Sequence, residues 1–187
     1  MKPIAESKGI NVTYKSLLTH IDKDNRVATF KDLDKGTIEK HHFDFLHIAP
    51  PQSAPDFIAK SELAHENGWL DVNIATLQHN KFKNVFGLGD VCNLPTAKTA
   101  AAIFSQTPVV VNNLLVEMGY QPRQGTYDGY SSCPLFVGDN KLMMIEFKYG
   151  GIADESFFAD QTKPKKIFHF LKKEIFPRAY FNLVPRG

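Results

Sequence analysis

Over the first fifty positions apolar and polar residues alternate in short runs, the pattern of strands with one face packed and one in water. Ile10-Asn11-Val12-Thr13-Tyr14 is one such run, and Arg26–Phe30 is another, set off by the turn-forming Asp22-Lys23-Asp24-Asn25. Lys35-Gly36-Thr37 predicts a further turn before Ile38-Glu39-Lys40. Phe43–Ala49 is more continuously apolar and predicts a buried parallel strand, stopped by Pro50-Pro51. A connector over 50–68 has room for a short helix at Pro55–Lys60, and a polar link covers 69–83. Asn84–Asp90 predicts a short buried strand ending in a Gly-Asp corner. Thr99–Glu117 predicts a helix that Pro108 should kink or divide and that Gly119 should stop. Alternation resumes in Cys133–Val137 and Lys141–Phe147, which flank Gly138-Asp139-Asn140 as the arms of a hairpin. Lys163–Phe176 is helical by pattern, and neither repeats nor low-complexity tracts occur.

Composition narrows the class. The chain has 187 residues, 43% hydrophobic and 22% charged, enough for one core or two small subdomains. A net charge of +2 gives no reason to expect nucleic acid as a partner. No window approaches the ~18 apolar residues of a membrane span, and Met1–Glu6 has neither an apolar leader core nor an Arg-rich presequence. The protein is therefore expected to be intracellular or organellar, any targeting segment lying outside this chain. Cys92 and Cys133 do not make a disulfide-stapled scaffold. The seven histidines show no metal-ligand spacing, so no metal site is expected.

The densest chemical signal is Val85-Phe86-Gly87-Leu88-Gly89-Asp90. Glycines allow close backbone approach, and an acid at the carboxyl end of a strand before a helix suits a hydroxyl-bearing nucleotide ligand. With the preceding Gly68-Trp69-Leu70-Asp71-Val72 and Thr76-Leu77-Gln78, the run resembles the second FAD-binding signature of pyridine-nucleotide-disulfide-type flavoproteins. Its continuation Asn93-Leu94-Pro95-Thr96-Ala97-Lys98-Thr99-Ala100-Ala101-Ala102, and later Tyr127-Asp128-Gly129-Tyr130-Ser131-Ser132-Cys133-Pro134-Leu135, resemble sulfide:quinone oxidoreductases of the eukaryotic type.

That resemblance implies an incomplete two-dinucleotide-domain flavoprotein fold. It would be α/β, passing to α+β in its C-terminal part, with a closing β-hairpin and amphipathic helix. Residues 1–68 would finish the second, nicotinamide-type domain, 69–120 would return to the FAD domain, and 121–187 would carry the redox cysteine and the membrane-facing region. Gly89 and Asp90 would meet the ribityl chain of FAD. Lys98, Thr99, Ala100 and Ala101 would bring a helix start to the isoalloxazine, where the helix dipole favours the anionic reduced ring. Read on its residues alone, Lys98 is equally a solvated lysine before a helix.

Cys133, by composition, is a small apolar residue in a strand. By resemblance it is half of a redox pair whose disulfide or trisulfide sulfide attacks, leaving a persulfide on one sulfur while the other, as thiolate, attacks the flavin. Its partner would come from the other half of the enzyme, and Cys92 is expected to be a structural thiol.

No Gly-x-Gly-x-x-Gly occurs, so the ADP-binding motif of the family would precede this chain. The chain is then expected to be the C-terminal half of an enzyme, inactive alone, with the N-terminal half as its missing partner. Sulfide, a small sulfur acceptor and a quinone are the implied reactants, with Phe147, Phe157 and Phe158 as candidate quinone contacts. Ile167, Phe168, Leu171 and Ile175 share a helical face among Lys165, Lys166, Lys172 and Lys173, which fits either a surface helix or a membrane-interface helix. The family implies a peripheral place on the mitochondrial inner membrane. Two alternatives stay open: a related flavoprotein such as a type II NADH dehydrogenase, and a non-catalytic interaction or membrane-surface module. Leu183-Val184-Pro185-Arg186-Gly187 reads equally as a cleavage scar or as native sequence.

Overall fold

A computed structural model describes residues 2–157 and 160–185. The chain forms two compact units, 1–51 and 52–187. The first opens with a short helix, α1 (Lys2–Ser7), followed by three antiparallel strands in the order β1 (Ser16–Asp22), β2 (Val27–Asp32) and β3 (Ile38–His42). Asp22 sets the first hairpin, its carboxylate accepting from the Asn25 amide at 3.0 Å and the Asn25 side chain at 2.8 Å. A turn fixed there pairs the residues that abut it, Asp22 with Val27 and Ile21 with Ala28. The strand therefore occupies 16–22, not the alternating run at 10–14, which is irregular and largely exposed.

Phe43–Ala49 is not a strand. After the Phe43 amide bonds to the Arg26 carbonyl the chain leaves the sheet, and Phe45 is 86% exposed. Apolar continuity alone does not make a parallel strand, which needs hydrogen-bonded neighbours and cover on both faces.

The second unit contains α2 (Asp56–Ala59), a 3-10 turn at Gly89–Val91, α3 (Ala100–Glu117), the hairpin β4 (Ser131–Gly138) and β5 (Lys141–Phe147), and a second 3-10 turn at Tyr149–Gly151. It closes with α4 (Lys166–Phe170), a π-helical turn at Leu171–Ile175 and α5 (Phe176–Leu183). One small core gathers Ile58, Leu70, Val72 and Cys92, and another sets Phe168 against Leu142 and Met144. The result is a mixed α/β chain. Its described ladders are antiparallel, apart from an isolated parallel bridge between Leu70 and Cys92. The run 84–90 is not a ladder strand: it forms a single bridge, Phe86 to Gln78, enters the 3-10 turn at Gly89, and only Gly87 within it is buried.

The two later elements follow their sequence signals closely. Thr99 caps α3, its hydroxyl accepting from the Ala102 amide at 3.1 Å. At the other end Gly119 takes φ +80°, and the amides of Gly119 and Tyr120 bond back to Val116 and Leu115, a Schellman stop. Pro108 does not divide the helix. It sits on the exposed side, where the carbonyl it cannot serve has access to water. The β4–β5 turn has positive φ at both Asp139 (54°) and Asn140 (52°), the type I′ geometry that matches strand twist. The terminal helix begins at Lys166 and, through its π turn, runs on past Phe176 to Leu183.

Candidate functional site

The elements that build the site are the 3-10 corner and the start of α3. Gly87 allows the corner to close. A Cβ there would lie 2.2 Å from Leu70 Cδ2 and 2.9 Å from Cys92 Sγ. Gly89 takes φ +75°, and its amide donates to Gln106 Oε1 at 2.6 Å, which ties the corner to α3. Asp90 follows, exposed, its carboxylate accepting no hydrogen bond from the described residues.

A concavity of about 210 Å³, open to solvent, lies between the corner and α3. Gly89, Asp90, Lys98 and Thr99 line it together with Thr96, Ala97, Ala102 and Gln106. Four of the residues singled out in the sequence are thus brought together. Ala100 and Ala101 begin α3 but do not line the cleft. Ala102 and Gln106 were not anticipated, though their three- and seven-residue spacing from the Thr99 cap places them on one helical face. The buried face of α3 is Ala102, Gln106 and Asn113, whereas Phe104, Val111, Leu114 and Met118 are exposed.

Lys98 is not a solvated lysine. Its ammonium donates to the carbonyls of Asp90 at 2.6 Å and Cys92 at 2.9 Å, and lies 3.9 Å from the centroid of the Trp69 ring. Burial lowers its pKa, with the charges of Asp90 and Cys92 opposing. Cys92 is fully buried beneath it, and burial pushes that thiol up to about 12 despite the nearby ammonium. It is the expected structural thiol.

Cys133 sits half-buried in β4 opposite Ile145 and is a free cysteine, as is Cys92. Two residues before it, buried Ser131 donates to the Ala97 carbonyl at 3.2 Å and stands 2.9 Å from Thr99 Oγ1. Because strand side chains alternate, Cys133 shares the β4 face of Ser131, the face turned toward the start of α3.

Glu146 on β5 escaped the sequence reading. Its buried carboxylate accepts from Tyr130 Oη at 2.6 Å, the Ser156 amide at 2.8 Å, the Ser156 hydroxyl, and Gln161 Nε2 at 2.8 Å. Burial acts to raise its pKa, but the hydrogen bonds outweigh this and hold the carboxyl below its ordinary range. The same contact, after burial, pushes Tyr130 up to about 12. Of the proposed quinone contacts, Phe157 packs edge-on against Phe168 at 5.7 Å between centroids, and Phe158 lies outside the described residues. Among the described residues no group of His, Cys, Asp and Glu could hold a metal ion.

No protein-family model matches the chain. Full-length similarity to individual proteins is strong. It is 41% identical over 185 residues to the mitochondrial sulfide:quinone oxidoreductase of Schizosaccharomyces pombe, 39% over 188 residues to that of Mus musculus, and 40% over 185 residues to that of Dictyostelium discoideum. Over nearly its whole length the chain is similar to sulfide:quinone oxidoreductases. These alignments take in 96%, 100% and 98% of the chain but only 40%, 42% and 40% of the relatives, so it spans about two fifths of the length of the oxidoreductases it matches. Among solved structures, a chain of the cryo-EM structure of Tetrahymena thermophila mitochondrial ATP synthase superposes with a TM-score of 0.80 at 31% identity. That match covers 96% of this chain and 43% of the other.

Proposed function

We propose that this chain is the C-terminal part of an FAD-dependent sulfide:quinone oxidoreductase of the mitochondrion. The observation that carries the reading is that Asp90, exposed and with no hydrogen bond to its carboxylate from the described residues, lines one cleft with Lys98 and Thr99. The residues suit a flavin. Asp90 supplies an acceptor for ribityl hydroxyls, Gly89 gives close backbone approach, and the α3 N-terminus offers amides and a positive dipole end beside an electron-rich ring. The concavity is shallow and open to solvent, far from an enclosed ligand pocket, so it fits one wall of the site. The remaining wall and the pyrophosphate cradle would come from the rest of the enzyme, as would a partner for Cys133. The exposed apolar residues of α3, including Phe104, Val111 and Met118 at seven-residue spacing, fit a helix that meets such a region.

In this reading residues 1–68 complete the nicotinamide-type domain, 69–120 belong to the FAD domain and 121–187 form the cysteine-bearing and membrane-facing part. Cys133 is the catalytic residue. Hydrosulfide attacks the disulfide that Cys133 forms with its partner, one sulfur becomes a persulfide and the other leaves as thiolate. A small nucleophilic acceptor then takes the outer sulfur, which returns that cysteine to a thiolate, and the two thiolates close to the disulfide again. The electron pair that this closure releases is the one a bound FAD would take up and hand to the quinone.

No described helix is long and apolar enough to cross a membrane. Contact with the inner membrane would instead use the residues that α4, the π turn and α5 leave exposed, Ile167, Phe170, Ile175 and Phe181, beside Lys166 and Lys173. Phe168 and Leu171, expected on that face, pack on the hairpin. The flavin assignment is tested by titrating FAD into the intact enzyme. Asp90→Asn should weaken binding about tenfold, one hydrogen bond to a charged acceptor. Unchanged affinity would overturn it.

The ATP synthase match favours a second reading, in which the same fold serves as a non-catalytic part of a mitochondrial assembly. Purification from mitochondria distinguishes the two. A flavin-free chain that migrates with a large complex supports the second reading, and a yellow enzyme reduced by sulfide supports the first.

A further inference from the structure

We infer that Lys98 is a positioning residue. Its ammonium, seated on the Trp69 ring and bonded to two main-chain carbonyls, holds the Asp90 corner in the shape that presents the carboxylate to the cleft. The inference rests on the flavin reading above for its ligand, but its geometry stands apart from it.

Every carbonyl at this corner can be accounted for. Gly89 O accepts from the Cys92 amide at 3.2 Å, and Val91 O accepts from the Leu70 amide at 2.9 Å. The carbonyls of Asp90 and Cys92 take no described backbone donor, and both are served by Lys98 Nζ. An unmet carbonyl at buried Cys92 is costly, and the ammonium removes that cost while making a second charge-assisted bond at exposed Asp90. Trp69 supplies the third contact. Its ring face, 3.9 Å from the ammonium, replaces water on the side the carbonyls leave open.

The arrangement also decides what Asp90 can do. A lysine near an aspartate ordinarily pairs with its carboxylate. Here the ammonium is committed to main-chain oxygens, so the carboxylate stays an available acceptor at the cleft mouth. Lys98 thus acts on a ligand through the backbone of residue 90, with its ammonium bonded to main-chain oxygens.

This chain has one tryptophan, so with any tryptophan in the rest of the enzyme replaced by Phe, Trp69 fluorescence reports the clamp directly. The experiment compares Lys98→Met, Lys98→Arg, Asp90→Asn and Glu146→Gln in the intact enzyme, with riboflavin as the probe of the ribityl-binding corner. Three quantities are read: Trp69 emission, amide exchange at Leu70 and Asn93, and riboflavin affinity. Lys98→Met should change the emission and speed exchange at both amides on the order of tenfold, since each is bonded across the corner. It should weaken riboflavin about as much as Asp90→Asn does, although Asp90→Asn leaves emission and exchange unchanged. Lys98→Arg, which keeps the charge, the donors and a partner for the ring, should restore all three to within about threefold. Glu146→Gln controls for general loss of stability and should leave riboflavin affinity alone. Lys98→Met with unaltered emission and exchange overturns the positioning role. If wild-type enzyme fails to bind riboflavin, the flavin reading falls, and emission and exchange alone decide whether Lys98 sets the corner.

Discussion

Ser131 and Thr99 meet hydroxyl to hydroxyl at 2.9 Å, joining the strand of Cys133 to the cap of α3. The proton order follows from the other contacts. Ser131 gives its hydrogen to the Ala97 carbonyl, and Thr99 Oγ1 accepts from the Ala102 amide, so Thr99 donates to Ser131. One threonine therefore starts the helix and anchors the strand. Thr99→Val should cost about 1–2 kcal/mol, from a lost cap and a broken hydroxyl chain, whereas Thr99→Ser should stay within about 0.5 kcal/mol of wild type. Urea unfolding measures both. The double variant Thr99→Val/Ser131→Ala should lose less than the sum of the single changes, and strict additivity would show the link to be idle.

Cys92 predicts a difference between the two thiols. Folded, reduced protein at pH 8 should react with a thiol reagent at Cys133, with Cys92 at least about tenfold slower until the chain is unfolded. Mass spectrometry after timed alkylation assigns the sites. Stability should follow the same chemistry. Burial raises Cys92 from its ordinary 9.0 to about 12 against the charge of Lys98, so the folded state holds that proton more tightly than the unfolded one. The contribution is intact below pH 9 and is lost as pH climbs toward 12. Cys92→Ala should flatten that alkaline fall in the urea midpoint, leaving the share of Tyr130, which is raised in the same way.

Glu146 titrates in the opposite sense. Its carboxyl lies below the ordinary 4.5, so it contributes stability above that pH and loses it as pH falls through the folded-state value. Glu146→Gln turns an amide toward donors at Ser156 and Gln161 and should cost about 1–3 kcal/mol at pH 7. The gap between wild type and variant should narrow in acid. A gap that is constant from pH 7 to 3 would mean that the charge is not what the donors recognise.

Local chemistry made part of this fold legible. The Asp22 turn, the Thr99 cap, the Gly119 stop and the Asp139-Asn140 turn each act within a few residues, and each is found where its residues predict. What the sequence did not disclose depends on partners distant along the chain. Phe43–Ala49 has strand composition but no strand beside it. The apolar residues of α3 mark its exposed side, while Gln106 and Asn113 are buried because they bond to loops: Gln106 to the Gly89 amide, and Asn113 to Thr76 and Gly125. Periodicity locates a helix face but not what the face meets. At the site, the motif pointed to Gly89, Asp90, Lys98 and Thr99, which line one cleft, but it did not disclose the contacts of Lys98. Its bonds run to carbonyls six and eight residues back and to a ring 29 positions away.

The reading as a whole turns on Cys133, and anaerobic addition of sulfide to the flavin-loaded enzyme tests it most directly. Wild-type enzyme should lose its flavin absorbance as the electron pair arrives, and Cys133→Ser should stay yellow with its flavin fully bound. A Cys133→Ser enzyme that bleaches at the wild-type rate would contradict the account.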